Sequence, residues 1–74
     1  MGTLKVLMGN EEEKIFWSLD DSEAVQKARE KFDHYQKQGF IAAKIVDQGD
    51  KGVQLSEFDP EAEEIFMLGL ADGG

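Results

Sequence analysis

The sequence predicts an α+β fold, a roll of order ββαββ(turn)β in which one helix packs on one face of a mixed sheet. Three observations predict it. Residues 20–40 carry the one stretch whose period, start and stop all agree on a helix. Short alternating runs stand in pairs on both sides of that stretch. A capped, proline-containing turn then leads into a last apolar run at 65–70.

The helix is expected over residues 22–38. Val25, Ala28, Phe32 and Tyr35, with Ala24 beside them, recur at steps of three and four and form one stripe. Asp20, Asp21 and Ser22 offer oxygens to the first free amides, and Glu23 suits the positive helix end. Gly39 can adopt the left-handed conformation that closes the helix, which would turn Phe40 back towards Tyr35. Lys27, Glu30, Lys31 and Lys37 fill the opposite face. A lone helix cannot bury its own stripe, so a sheet must cover it.

The strands follow in order. Residues 3–8, TLKVLM, alternate with Leu4, Val6 and Met8 on one side. Gly9 and Asn10 signal a turn, and Glu11, Glu12 and Glu13 read as a solvated loop because adjacent like charges repel. Residues 14–19, KIFWSL, make the second strand, with Ile15, Trp17 and Leu19 on one face. After the helix, residues 40–47, FIAAKIVD, form an internal strand. The glycine-rich link 48–52 turns the chain, and residues 53–58, VQLSEF, return as a fourth strand with Val53 and Leu55 on one face. Asp59 caps and Pro60 starts a short helical turn, DPEAEE. The last strand is IFMLGL, and the first and last strands are expected as parallel central neighbours. The expected core holds Trp17, Val25, Ala28, Phe32, Ile41 and Ile45. Residues 1–70 read as one small domain and 71–74 as a flexible tail.

The formal net charge is −8. Residues 1–26 hold two lysines against six acids, residues 27–44 five bases against two acids, and residues 45–74 one lysine against eight acids. The acidic ends repel phosphate, so no direct nucleic-acid partner is expected, and a basic protein partner fits better. Cysteine is absent, which excludes disulfides and thiolate metal sites and suits a reducing compartment. No apolar run approaches a membrane span and no signal-peptide pattern opens the chain, so the expectation is a cytoplasmic protein with no membrane association.

Reactive chemistry is missing from the pattern. His34 is the only histidine, no cysteine nucleophile exists, and Gly49 and Gly52 sit between strands rather than before a helix. The glutamate run 11–13 and the acids at Asp47 and Asp50 lack the ligand spacing of a calcium loop. The expectation is therefore no enzyme, no catalytic residue, no metal and no cofactor. Binding residues are more legible. Phe16 adjoins Trp17 and Phe66 adjoins Met67, so in each strand one must point away from the helix. Phe16 and Phe66 on the uncovered face, with Glu61, Glu63 and Glu64 nearby in sequence, form the expected protein-binding set.

The order, the length and the ending together resemble the ubiquitin-like β-grasp family. The matching pieces are TLKVLM and KIFWSL, the helix, FIAAKIVD and VQLSEF, the turn DPEAEE, and IFMLGL followed by ADGG. The resemblance implies that a terminal glycine carboxylate is activated and joined to an amine or sulfur. That role falls on Gly73 and Gly74, with Leu68 and Leu70 in the place of the tail's apolar residues. The arginines of ubiquitin's tail are absent and Asp72 precedes the glycines, so an activating enzyme would have to differ. The expected function is thus a small acidic protein-binding module, with a ubiquitin-like modifier or sulfur carrier as its sharper form. The alternatives are an acidic inhibitor that mimics nucleic acid, as small phage-type inhibitors do, and a structural subunit that assembles with copies of itself through its sheet.

Overall fold

A computed structural model describes residues 1–69, apart from the side chain of Asp47. The expected tail, with Leu70, Gly73 and Gly74, lies outside the described residues. The elements are β1 (Gly2–Met8), β2 (Glu11–Trp17), α1 (Ser22–Lys37), β3 (Phe40–Val46), a 3₁₀ turn (Asp47–Gly49), β4 (Lys51–Leu55) and β5 (Glu64–Gly69). They build one five-stranded sheet of order β2-β1-β5-β3-β4. β1 runs parallel to β5, and the other neighbours are antiparallel. This is the expected α+β architecture, compatible with a β-grasp topology.

α1 starts and stops as its sequence dictates. The Asp21 side chain accepts from the Ala24 amide at 3.2 Å. Gly39 takes φ +98°, and its amide donates to the Gln36 carbonyl at 3.0 Å. Phe40 turns back so that its ring lies 5.0 Å from that of Tyr35. Ala28, Phe32 and Tyr35 are buried against Leu4, Val6, Trp17, Ala42, Ile65 and Met67 of the sheet. Val25 is only partly buried, at the edge of the stripe.

The first hairpin departs from expectation. β2 begins at Glu11, so the glutamates are strand rather than loop. The connection is only Gly9–Asn10, and Gly9 at φ +63° supplies the left-handed position that a tight hairpin turn needs. Alternation then puts Glu13 on the helix side with Ile15 and Trp17. There it accepts a 2.5 Å hydrogen bond from the Tyr35 hydroxyl and lies 3.4 Å from Lys31. A partner on α1 thus replaces the repulsion that argued for a loop. Leu19 falls outside the strand and is exposed.

The Glu13–Tyr35 pair predicts a pH dependence. The hydrogen bond from Tyr35, aided by Lys31, holds the Glu13 carboxyl below the usual glutamate range. The same bond raises the Tyr35 hydroxyl. A lowered acid contributes stability that is complete above its unfolded value, about 4.3, and is lost as pH falls through the folded value. A raised phenol contributes below about pH 10 and loses its contribution as pH rises through the folded value. Glu13→Gln is therefore expected to flatten the acid limb of stability against pH. Urea unfolding between about pH 6 and pH 3 checks this, and a slope equal to wild type would sink the assignment.

The inward face of β3 is not the expected one, and it carries Lys44, the cross-strand partner of the buried Ile65. Ala42 is buried, with Phe40 also turned to the core. Ile41 and Ile45 point to the uncovered side, Ile41 with 41% of its surface exposed. β4 ends at Leu55, short of the expected 58. Phe58 instead leaves the sheet and wedges under α1, 5.0 Å from the Trp17 ring and 5.8 Å from the Phe32 ring. Residues 59–64 form no helix. One hydrogen-bonded turn closes from the Ala62 amide to the Asp59 carbonyl at 3.1 Å. The Trp17 indole donates to the Pro60 carbonyl at 2.9 Å and ties this loop to β2.

Candidate functional site: the uncovered sheet face

Cross-strand register assembles the face opposite α1 in rows. Glu12, Leu7, Leu68 and Ile41 lie side by side across β2, β1, β5 and β3. The next row runs Lys14, Lys5, Phe66, Ala43 and Gln54. The third holds Phe16, Thr3 and Glu64. Leu68 is 47% exposed and Phe16 59%. Leu68 and Ile41 are therefore exposed beside the half-buried Leu7 and Phe66 on one surface. Residues far apart in sequence share it because β5 inserts between β1 and β3.

Charge surrounds this apolar ground unevenly. Lys5 and Lys14 are direct cross-strand partners, a repulsive placement on its own. Lys5 is drawn the other way, to Glu64 at 3.0 Å, with its ammonium 5.2 Å from the Phe66 ring centre. Lys14 is left exposed.

A groove of about 840 Å³ opens at the Phe16 end of the face. Thr3, Lys14, Phe16, Ile45, Glu61 and Glu63 line it. Its outer wall is the 59–63 loop, pinned to β3 where Lys44 donates to Asp59 at 2.9 Å. The Asp59 carboxyl is held below the usual range, first by Lys44 and then by the Glu61 amide at 3.0 Å. Glu61 and Glu63 are exposed, and among the described residues neither carboxylate has a side-chain partner.

The expected binding residues thus converge in part. Phe16, Glu61, Glu63 and Glu64 line one groove, and Phe66 lies one row away across Lys5. Leu68, assigned above to the tail on resemblance, is a strand residue of the apolar ground. Leu70, Gly73 and Gly74 lie outside the described residues. Leu7, Ile41 and Lys14 were missed. Alternation could have flagged Leu7, but only strand pairing sets it beside Leu68.

The other side of the sheet has a smaller groove of about 440 Å³ between β2 and α1, lined by Ile15, Lys27, Glu30, Lys31 and His34. His34 is exposed there, its Nε2 3.1 Å from the Gln38 side-chain nitrogen. Among the described residues no three histidine or carboxylate side chains converge as metal ligands, and no helix is long and apolar enough to cross a membrane. No protein-family model matches this chain, and neither a curated protein nor a solved structure matches it.

Proposed function

We propose that this domain is a protein-binding module whose uncovered sheet face takes a basic, partly apolar partner. The observation that carries the reading is the apolar ground of Leu7, Leu68, Ile41 and Phe66, with the unpaired carboxylates of Glu61 and Glu63 at the groove beside it. Apolar burial would supply affinity there, while the carboxylates and the net charge of −8 would speed encounter with a cation. The strand order is also compatible with a ubiquitin-like reading.

A synthetic peptide of alternating leucine and arginine tests the proposal, since its extended form puts apolar groups on one side and cations on the other. Leu68→Arg is expected to weaken binding by about tenfold or more, through lost contact and added repulsion. Glu61→Lys with Glu63→Lys is expected to slow association at low salt and to flatten its salt dependence. Glu64 is kept, because its reversal would also break the Lys5 pair. These exposed changes should move the unfolding midpoint little. Wild-type affinity in the first variant together with a wild-type association rate in the second would overturn the reading.

A further inference from the structure

We propose that Lys14 selects the partner of the sheet face by binding a carboxylate. This role rests on the binding reading above: the segment that offers cations to Glu61 and Glu63 also offers Lys14 an acid. The groove of about 840 Å³ shows which charges are already matched. Lys5 pairs with Glu64 at 3.0 Å, and Lys44 pairs with Asp59 at 2.9 Å. Those four charges cancel within the protein. The other charged groups on the groove are Lys14, Glu61 and Glu63, and all are exposed. Among the described residues none of the three side chains makes an ion pair.

The sheet holds these free charges apart. Glu63 adjoins Glu64, which is in register with Thr3 and, across β1, with Phe16. Lys14 lies one row and two strands from Glu64, about 12 Å at ordinary sheet spacings. Phe16, 59% exposed, occupies the corner between them. The groove thus presents a cation at one end, two anions at the other and an aromatic ring on the way. A segment with the opposite charges in the same order fits it. Extended chain covers about 12 Å in four residues, and an even spacing keeps both groups on one side. The matching partner therefore carries an acid four residues from a base. A polyanion is the wrong occupant, because its next charge would meet Glu61 and Glu63. The placement of Lys14 also costs the fold something. It stands directly opposite Lys5, and like charges so placed destabilise a sheet. In a chain with 16 acids and 8 bases, an acid from outside is what relieves this pair of lysines.

Three peptides tested by isothermal titration calorimetry on the full chain decide the matter. The first is the leucine–arginine peptide above. In the other two, the arginine nearest the amino or the carboxyl end is replaced by glutamate, which covers both directions of the segment. The quantity read is the Kd of the all-arginine peptide divided by that of each glutamate peptide. Lys14→Gln removes one attraction and one repulsion, so for one of the two peptides this ratio should fall by about fivefold. Lys27→Gln makes the same charge change on the exposed helix surface and should keep the ratio within about twofold of wild type. Both exposed changes should leave the unfolding midpoint near that of wild type. If no peptide binds wild type, the binding reading itself falls. If the all-arginine peptide binds but both ratios are the same in wild type and Lys14→Gln, only the role of Lys14 is overturned. The lysine is then a charge that keeps the β2 edge from pairing. An equal fall in Lys27→Gln would put net charge in place of a local contact and overturn it too.

Discussion

Replacing Phe32 with alanine is expected to destabilise the domain by about 3–5 kcal/mol. Phe32 is fully buried at the centre of the α1 stripe. Its ring packs edge-on against Phe58 at 5.8 Å, and Phe58 in turn packs edge-on against Trp17 at 5.0 Å. The deletion removes one end of this row of three rings and leaves a space that helix, sheet and loop would all have to shift to fill. A domain of this size has a total stability of only about 4–11 kcal/mol, so the variant sits near the limit of folding. Urea unfolding monitored by circular dichroism measures the loss. If the variant does not fold, Phe32→Leu keeps most of the volume and should lose under about 1.5 kcal/mol. A loss under about 1 kcal/mol for the alanine variant would mean that the stripe is not the core.

The helix was legible because its signals are local. Asp21, the 25-28-32-35 spacing and Gly39 all act within a turn or two of where they stand. The strands were legible as runs, yet their ends and faces were set by contacts that sequence order hides. The glutamates looked like a loop because their mutual repulsion is visible in sequence and the distant Tyr35 is not. β3 misleads because Ile41, Ala43 and Ile45 form its wholly apolar face, whereas the face that packs inward carries Lys44 between Ala42 and Val46. A period of two assigns alternate residues to two faces but does not say which face is inward. The choice is made by size: small Ala42 fits beneath α1, while Phe40 reaches back to Tyr35 at the helix end.

The site follows the same division. Phe16 and Phe66 were legible as outward residues from their adjacency to Trp17 and Met67. The groove between Phe16 and the 59–63 loop was not, because it depends on where that loop lies. Asp59 and Pro60 announce a turn but not its anchors, the Trp17 indole and Lys44. Phe58 reads as the end of an alternating strand, although its ring belongs with Trp17 and Phe32.

Gly2 and Trp17 are expected to act as one unit, destabilising the domain strongly when changed singly and less than additively when changed together. They are cross-strand partners at the end of β1 and β2. The indole lies over Gly2 so closely that a Cβ added there would stand 2.2 Å from Trp17 Cε2 and Cζ2. Trp17 is 2% exposed and its nitrogen is held by the Pro60 carbonyl, so the ring has no free direction in which to move. Gly2→Ala should therefore cost about 1–3 kcal/mol by overpacking. Trp17→Phe should cost a similar amount, about 1–3 kcal/mol, by leaving the Pro60 carbonyl without its donor and a gap where the larger ring had been. That gap adjoins the position of the new methyl group. In the double variant the methyl meets less of the ring, so the combined loss should fall short of the sum by about 0.5 kcal/mol or more. Chemical denaturation of the four proteins in one double-mutant cycle measures this term directly. Strict additivity would mean that the strand end shifts to relieve Gly2→Ala, and that the glycine is not needed for the indole to seat.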